Sequence, residues 1–177
     1  MAALIEPHIP ALRRFAWALL RDGTVADDLV QDCLERAIAG WHLRHHDGNL
    51  KAWLFAILHN LFLSNRRRSA RGGMDRSLDD DGAAALMRAD PTATLAAEGR
   101  LVWQDALTAL EALPEDQRAV ILLVGIEDLS YEETARLTGV PIGTVMSRLS
   151  RGRERLRRLL DGEVVKAGAQ QALRRVK

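Results

Sequence analysis

Residues 128–160 read DLSYEETARLTGVPIGTVMSRLSRGRERLRRLL. Their spacing predicts two helices joined by a tight turn. Ser130 followed by Glu133 has the spacing of a capping box, in which each residue satisfies an orphan N–H at the helix start. The first helix is expected over Tyr131 to Thr138, with Gly139 as the left-handed residue just past its end. Pro141 and Gly143 break the chain, and Thr144 is a second candidate N-cap. Val145, Leu149, Leu156, Leu159 and Leu160 then recur at helical spacing. Helix, Gly-containing turn and helix make a helix-turn-helix pattern. The second helix carries Arg148, Arg151, Arg153, Arg155, Arg157 and Arg158. In such motifs the second helix enters the major groove and its first turns meet base edges. A surface hairpin with a solvated basic face is the plainer reading. The agreement of caps, turn and arginine density favours DNA.

The chain has 177 residues, enough for one large domain or two small ones, and 47% are apolar, so a core is feasible. The single cysteine, Cys33, excludes a disulfide framework and a multi-cysteine zinc site. It falls among apolar helical positions, as a buried small hydrophobe would. No apolar run approaches a membrane span and no signal peptide is visible, so a cytoplasmic protein without direct membrane insertion is expected. Net charge is only +1; the charge is instead sorted along the chain.

From the N-terminus, Pro10 suits the first turn of a helix with Leu12, Phe15, Ala16, Leu19 and Leu20 on one face. After Arg21-Asp22-Gly23, Thr24 is a candidate N-cap for a helix burying Leu29, Val30, Cys33, Leu34, Ala37 and Ile38. The opposite face carries Asp28, Gln31, Asp32 and Glu35 as one polar stripe, which composition alone would read as solvated. Residues 40–49 form a polar loop with His42, His45, His46 and Asp47. A metal site there is disfavoured, since no cysteine joins and the carboxylate is a single Asp. Asn49 can cap a third helix to about Arg68. Its core face is Trp53, Leu54, Ile57, Leu58 and Leu61, with Phe55, His59 and Phe62 on a second face. Aromatic groups interleaved with Asn60, Ser64, Asn65 and the Arg66-Arg67-Arg68 run suit a single-stranded nucleic-acid platform. Dipole-favoured basic residues at a helix C-terminus explain part of that run without a ligand.

From Ser69 to about Leu95 the composition shifts to Gly, Asp and Ala, which reads as a linker, with a short turn conceivable at Leu86 and Met87. A second helical unit follows, with Leu101, Trp103, Leu107, Leu110 and Leu113 as apolar positions. Pro114 and Glu115-Asp116 open a helix burying Val120, Ile121 and Val124. No phosphate loop, nucleophile elbow or paired-histidine motif occurs, so no cofactor, bound metal or catalytic chemistry is expected.

The stretch LSYEETARLTGVPIGTVMSRLSRGRERLR, preceded by LPEDQRAVILL, resembles the promoter −35 segment of bacterial sigma-70 family RNA polymerase sigma factors, closest to the extracytoplasmic-function group. ADDLVQDCLERA resembles the family segment that docks on the polymerase clamp helices, and NLKAWLFAILHNLFLSNRRR the helix that recognises and opens the −10 element. The two blocks occur in family order, which is more specific than either alone. The resemblance implies an all-α chain of two small helical domains joined by a flexible linker, the C-terminal one a helix-turn-helix. Residues 1–69 would form the docking and −10 domain, 70–94 the linker, 95–161 the −35 domain and 162–177 a tail.

By the same resemblance, Asp28, Gln31, Asp32 and Glu35 would dock on core polymerase. His42, Arg44, His45, His46, Asn49, Trp53, His59, Asn60, Ser64, Arg67 and Arg68 would meet −10 DNA, the loop holding an extruded base. Thr144, Val145, Met146, Ser147, Arg148, Ser150, Arg151, Arg153 and Arg155 would meet −35 DNA. Core RNA polymerase, promoter DNA and an anti-sigma factor are the implied partners, in stress-responsive transcription. Met146 stands where the family usually has Lys or Arg, and Ser64 where it often has Asp; both bear on promoter sequence. The rival readings are a polymerase-independent helix-turn-helix regulator and, more remotely, a metal hydrolase using His42, His45 and His46.

Overall fold

The computed structural model describes residues 1–44, 48–72, 106 and 108–174, with side chains described over 1–44, 48–69, 106 and 108–162. Every regular element among them is helical. The N-terminal half comprises α1 (Ala2–Ile5), a 3-10 turn (Glu6–His8), α2 (Ile9–Leu20), α3 (Gly23–Ala39), a 3-10 turn (Trp41–Leu43) and α4 (Leu50–Gly72). The C-terminal half comprises α5 (Glu115–Ile121), a π turn (Leu122–Ile126), α6 (Tyr131–Thr138) and α7 (Ile142–Arg174). The expectations for Leu86, Met87, Leu101, Trp103 and Leu107 lie outside the described residues.

In the N-terminal half α3 packs between α2 and α4. Pro10 sits in the first turn of α2, and Arg21 ends that helix in the left-handed conformation (φ 61°). The cap of α3 differs from expectation. The reversal at Arg21 leaves Asp22 as the last extended residue, and its Oδ1 accepts the Val25 N–H at 2.9 Å, so Asp22 and not Thr24 is the N-cap. Leu29, Val30, Cys33 and Ala37 are buried, but Ile38 is 53% exposed. Ile38 lies three residues beyond Glu35 and shares its face, so the core stripe passes through Ala37 instead. Cys33 is the expected small hydrophobe: its Sγ donates to the Leu54 carbonyl at 3.5 Å, and burial pushes its thiol pKa up to about 12. On α4, Leu54, Phe55, Leu58, Leu61 and Phe62 are buried, with the Phe55 ring edge-on to Phe15 at 5.2 Å.

In the C-terminal half the capping box forms as spaced. Glu133 N–H reaches Ser130 Oγ at 3.1 Å, Glu133 Oε2 accepts the Ser130 N–H at 2.8 Å, and Gly139 is left-handed at φ 71°. Thr144 is not an N-cap. α7 already begins at Ile142, and the Pro141 carbonyl accepts from Thr144 at 2.8 Å and Val145 at 3.2 Å. Pro141 suits a position just before a helix because it has no N–H to leave unsatisfied. Helix α7 continues to Arg174, so the expected tail is helical up to that residue.

α7 crosses α5 at Gly152, which is buried. A Cβ there would lie 2.7 Å from Ile121 Cδ1 and 3.3 Å from Gln117 Cβ. Glycine permits this approach, and the approach seats Val145 and Leu149 in the core.

The two halves share one continuous apolar cluster, from Leu12, Phe15, Leu54 and Leu58 through Val120, Leu123 and Leu129 to Leu137, Val145 and Leu149. Charge crosses the same boundary. Glu127, which follows the π turn, is 2% exposed, with its Oε1 3.2 Å from Arg14 Nη2 and its Oε2 2.9 Å from Lys51 Nζ. Arg21 pairs with Glu111, Arg66 pairs with Glu115, and Arg118 Nη1 donates to the Ala18 carbonyl at 3.2 Å.

The Gly152 crossing yields a measurable expectation. Gly152→Val inserts three carbons into a site where one is already too close, and overpacking of this kind costs about 1–3 kcal/mol. Urea unfolding should give a lower midpoint with an unchanged slope. A midpoint equal to the parent's would mean α5 and α7 are not in register at this residue.

Candidate polymerase and nucleic-acid interfaces

Three exposed surfaces carry the candidate residues. The first is the outer face of α3. Asp28, Gln31, Asp32 and Glu35 are all exposed, and Gln31 Nε2 donates to Glu35 Oε1 at 3.0 Å. Ile38 extends this face, giving an acidic stripe with an apolar end. The sequence reading missed it because Ile38 also fits the period of the core face.

The second surface is on α4. Asn49, Trp53, Asn60, Ser64 and Arg67 recur at intervals that stack them along one helical stripe. Asn60, Ser64, Arg67 and Arg68 are exposed, and Arg68 Nη2 donates to Asn65 Oδ1 at 2.6 Å. Asn49 Oδ1 accepts the Ala52 N–H at 3.3 Å as the helix cap, while its Nδ2 donates to Glu133 Oε1 at 2.7 Å. Trp53 is half-buried and meets Trp41 edge-on at 6.2 Å, and the Arg44 guanidinium lies over the Trp41 ring at 5.0 Å. Trp41 was not singled out from sequence, although an aromatic at a loop edge beside basic residues was the available signal.

His59 corrects the expectation for this helix. It is 6% exposed, as Phe55 and Phe62 are also buried, so the aromatic second face is part of the core and not a platform. Burial lowers the His59 pKa below its usual 6.5. His42 is exposed; His45 and His46 lie outside the described residues. Among the described residues no cluster of three or more His, Cys, Asp or Glu could hold a metal ion.

The third surface is the exposed side of α7. Met146, Ser150, Arg151, Arg153 and Arg155 are exposed. Arg151 folds back on its own helix, donating from Nε to the Ser147 carbonyl at 3.2 Å and from Nη2 to Ser147 Oγ at 3.1 Å. Ser147 and Thr144 are half-buried, the serine hydroxyl donating to the Thr144 carbonyl at 3.0 Å. Val145 is a correction: it is wholly buried, because the helical period that puts it near the N-terminus also aligns it with Leu149 and Gly152. Arg148 is turned aside, its Nε 2.9 Å from Asp116 Oδ2 on α5. A groove of about 440 Å³ runs between α6 and α7, lined by Tyr131, Met146, Ser150, Arg153 and Arg157. Glu133 anchors this hairpin, and the Ser130 N–H bonded to its carboxylate is the main cause of its lowered pKa.

Residues 5–59 match the family model described as the Sigma2 domain of PhyR, and residues 103–156 match Sigma-70, region 4. The chain is 40% identical over 152 residues to the ECF RNA polymerase sigma factor EcfG of Rhodopseudomonas palustris, covering 86% of this chain and 80% of that protein. It resembles the sigma factor RpoE of Bartonella quintana, solved with the anti-sigma factor NepR, with a TM-score of 0.74 and 39% identity over 90% of this chain and 95% of that one. A second structural relative is CnrH, solved with the cytosolic domain of CnrY, with a TM-score of 0.59 and 26% identity over 90% and 86% of the two chains.

The burial of His59 sets a pH dependence. Its folded-state pKa lies below 6.5, so on acidification the unfolded chain takes up this proton first. The stability from keeping the ring neutral is complete above pH 6.5 and is lost as pH falls below it. His8 shifts the same way, through burial and then Lys51, and remains in both proteins compared. His59→Gln should therefore melt with a shallower fall between pH 7 and pH 5 than the parent. Parallel curves would mean the ring is solvated.

Proposed function

The chain belongs to the extracytoplasmic-function group of RNA polymerase sigma factors, and from that membership we propose how its surfaces divide the work. As a sigma factor it binds core polymerase and directs promoter-specific initiation through −10 and −35 recognition. In our reading the α3 stripe of Asp28, Gln31, Asp32 and Glu35, ending on Ile38, docks on core polymerase. Residues 1–69 hold that stripe and the −10 reader, residues 70–94 link, residues 95–161 read the −35 element, and residues 162–177 form an appendage.

The observation that carries this reading is that every residue of the acidic stripe is exposed, on a helix whose other face is well buried. Four polar groups at helical spacing without a core role are suited to a basic partner surface. On the −10 side, Trp53, Asn60, Ser64, Arg67 and Arg68 offer one aromatic with donors and charge for an unstacked strand, and Trp41 with Arg44 adds a second stacking surface beside the loop. Capturing bases that leave the stack shifts the duplex toward its open state by binding only that state.

On the −35 side, Met146, Ser150, Arg151, Arg153 and Arg155 are the groove-facing set, with Thr144 and Ser147 near the backbone. Val145 acts by holding the roll of α7, and Arg148 becomes available only by leaving Asp116. The relative solved with the anti-sigma factor NepR supports an anti-sigma factor as this chain's regulator. We place the protein in the cytoplasm because its proposed partners, core polymerase and promoter DNA, are there, and we assign it no catalytic chemistry. Separately, no described helix is long and apolar enough to cross a membrane.

Two outcomes test the assignment. Gln31→Ala combined with Asp32→Arg changes only exposed side chains, which ordinarily shifts stability by no more than about 0.5 kcal/mol. The double variant should melt like the parent, retain −35 duplex binding and lose association with core polymerase. Retained polymerase affinity would remove the docking role, and with it the distinction from a free-standing DNA binder. Arg151→Ala should weaken −35 duplex binding by about 1–3 kcal/mol and relax preference at one base pair, as loss of a bidentate guanine contact does. An unchanged profile across variant −35 sequences would reassign this arginine to a structural role.

A further inference from the structure

We propose that Met146 reads a thymine of the −35 element by covering the C5-methyl group of that base, so that one promoter position is selected by apolar contact and not by hydrogen bonding. The inference rests on the −35 role given above to α7, and it names what one residue of that face recognises.

The core does not take up Met146. It is 50% exposed, and Ile142, one turn before it on the same side, is 40% exposed. Both fall in the first two turns of α7, whose inward positions there are filled by Val145 and Leu149. Both also fall within the residues that match Sigma-70, region 4. A recognition helix presents its N-terminal residues to base edges, so the apolar exposure lies where bases are met. The same side of α7 continues through Ser150 and Arg153 to Arg157, residues that line one groove with Met146. Along that line the surface changes from apolar to hydroxyl to basic. The arginines suit phosphates, which position the helix, and the apolar end is left for the bases, which specify the sequence.

The chemistry of the major groove leaves one base for that end. Every base edge there is made of donors and acceptors, except that thymine adds a C5-methyl group. A thioether has no donor and accepts only weakly. Set against guanine, adenine or cytosine, it would strand polar groups that water had satisfied, which costs free energy. Set against thymine, it covers a methyl and leaves O4 open. Ser150, one turn on, supplies a hydroxyl that can donate to that oxygen. A helical turn is about 5.4 Å and a base step about 3.4 Å, so Ser150 serves the same base pair or the next.

The surroundings favour the contact. Met146 forms one wall of the groove between α6 and α7 together with Tyr131 and Leu149. The methyl therefore meets a continuous apolar surface and not an isolated side chain. Methionine is unbranched and polarizable, so it can follow the methyl into place. The arginines of α7 attract DNA of any sequence, and Met146 adds discrimination without adding charge.

The test removes the methyl from the DNA and leaves the protein intact. The full chain, assembled with core polymerase, selects from duplexes randomised over the −35 element, and the chain alone is run in parallel. The selected duplex is remade with deoxyuridine in place of thymine, one position at a time. Deoxyuridine keeps O4 and its pairing and lacks only the methyl. At one position the parent should bind the deoxyuridine duplex about fourfold more weakly, the share of one buried methyl. That ratio should not change with salt, although both affinities fall as salt rises, because no phosphate contact differs between the two duplexes. Met146→Ala should bind both duplexes equally at that position. Met146→Gln keeps the length of the side chain and should lose the discrimination too, which provides a second variant should the first fail to fold.

Equal binding by the parent at every thymine, or a selected sequence with no A·T pair, overturns the methyl contact. A deoxyuridine loss of the same size in the parent and in a folded Met146 variant would mean that the methyl acts through DNA shape, and overturns the contact as well. Selection and discrimination by the chain alone, without association with core polymerase, would overturn the sigma-factor reading and leave the methyl contact standing. Selection of no sequence in either form overturns both.

Discussion

A carboxylate removed from water must find positive charge, and among the described residues Glu127 finds it in the other half of the molecule, on Arg14 and Lys51. Desolvating one ion costs several kcal/mol after relaxation, so the C-terminal half by itself has no reason to bury this group. Its burial between Arg14 and Lys51 ties the π turn to α2 and α4. The apolar cluster alone would tolerate small slides of one half on the other, because hydrophobic contact is non-directional. A buried charge with two specific partners does not, and it sets the register in which Asn49 meets Glu133.

The roll of each helix then decides which side chains are left for partners. On α7, Val145, Leu149 and Gly152 lie against the core, which leaves Met146, Ser150, Arg151, Arg153 and Arg155 outward. On α4 the inward set is Leu54, Phe55, Leu58, Leu61 and Phe62, and Trp53, Asn60, Ser64 and Arg67 remain. Neither helix offers all its arginines or all its aromatics. Composition counts them together, and only the roll separates a core ring such as Phe62 from a half-exposed one such as Trp53.

Local signals were the legible part of the sequence. Ser130 with Glu133, Gly139, Pro114 with the acidic pair, and Asn49 act within a few residues, and each forms the cap or boundary its spacing implies. Thr24 and Thr144 were misassigned because a nearby residue ends or starts the helix first: Arg21 turns left-handed early, and Pro141 permits an early start. The acidic stripe was legible because four residues repeat one period. His59, Ile38 and Arg148 were not. Each sits at a periodicity that two faces share; for Arg148 the side is chosen by a partner distant in sequence, Asp116. Glu127 had no local signal at all, since Arg14 lies 113 residues away.

The same division between local and long-range signals holds at the boundary of the two halves. Their apolar cluster runs continuously across it. Polar contacts add direction to it: Glu127, Glu111, Glu115 and Glu133 on one side face Arg14, Lys51, Arg21, Arg66 and Asn49 on the other. Each is hydrated again on opening, so the net cost of separation is far below the gross strength of the contacts. What opposes separation of the halves is then the shared apolar area, whose loss the regained hydration of these polar groups does not offset.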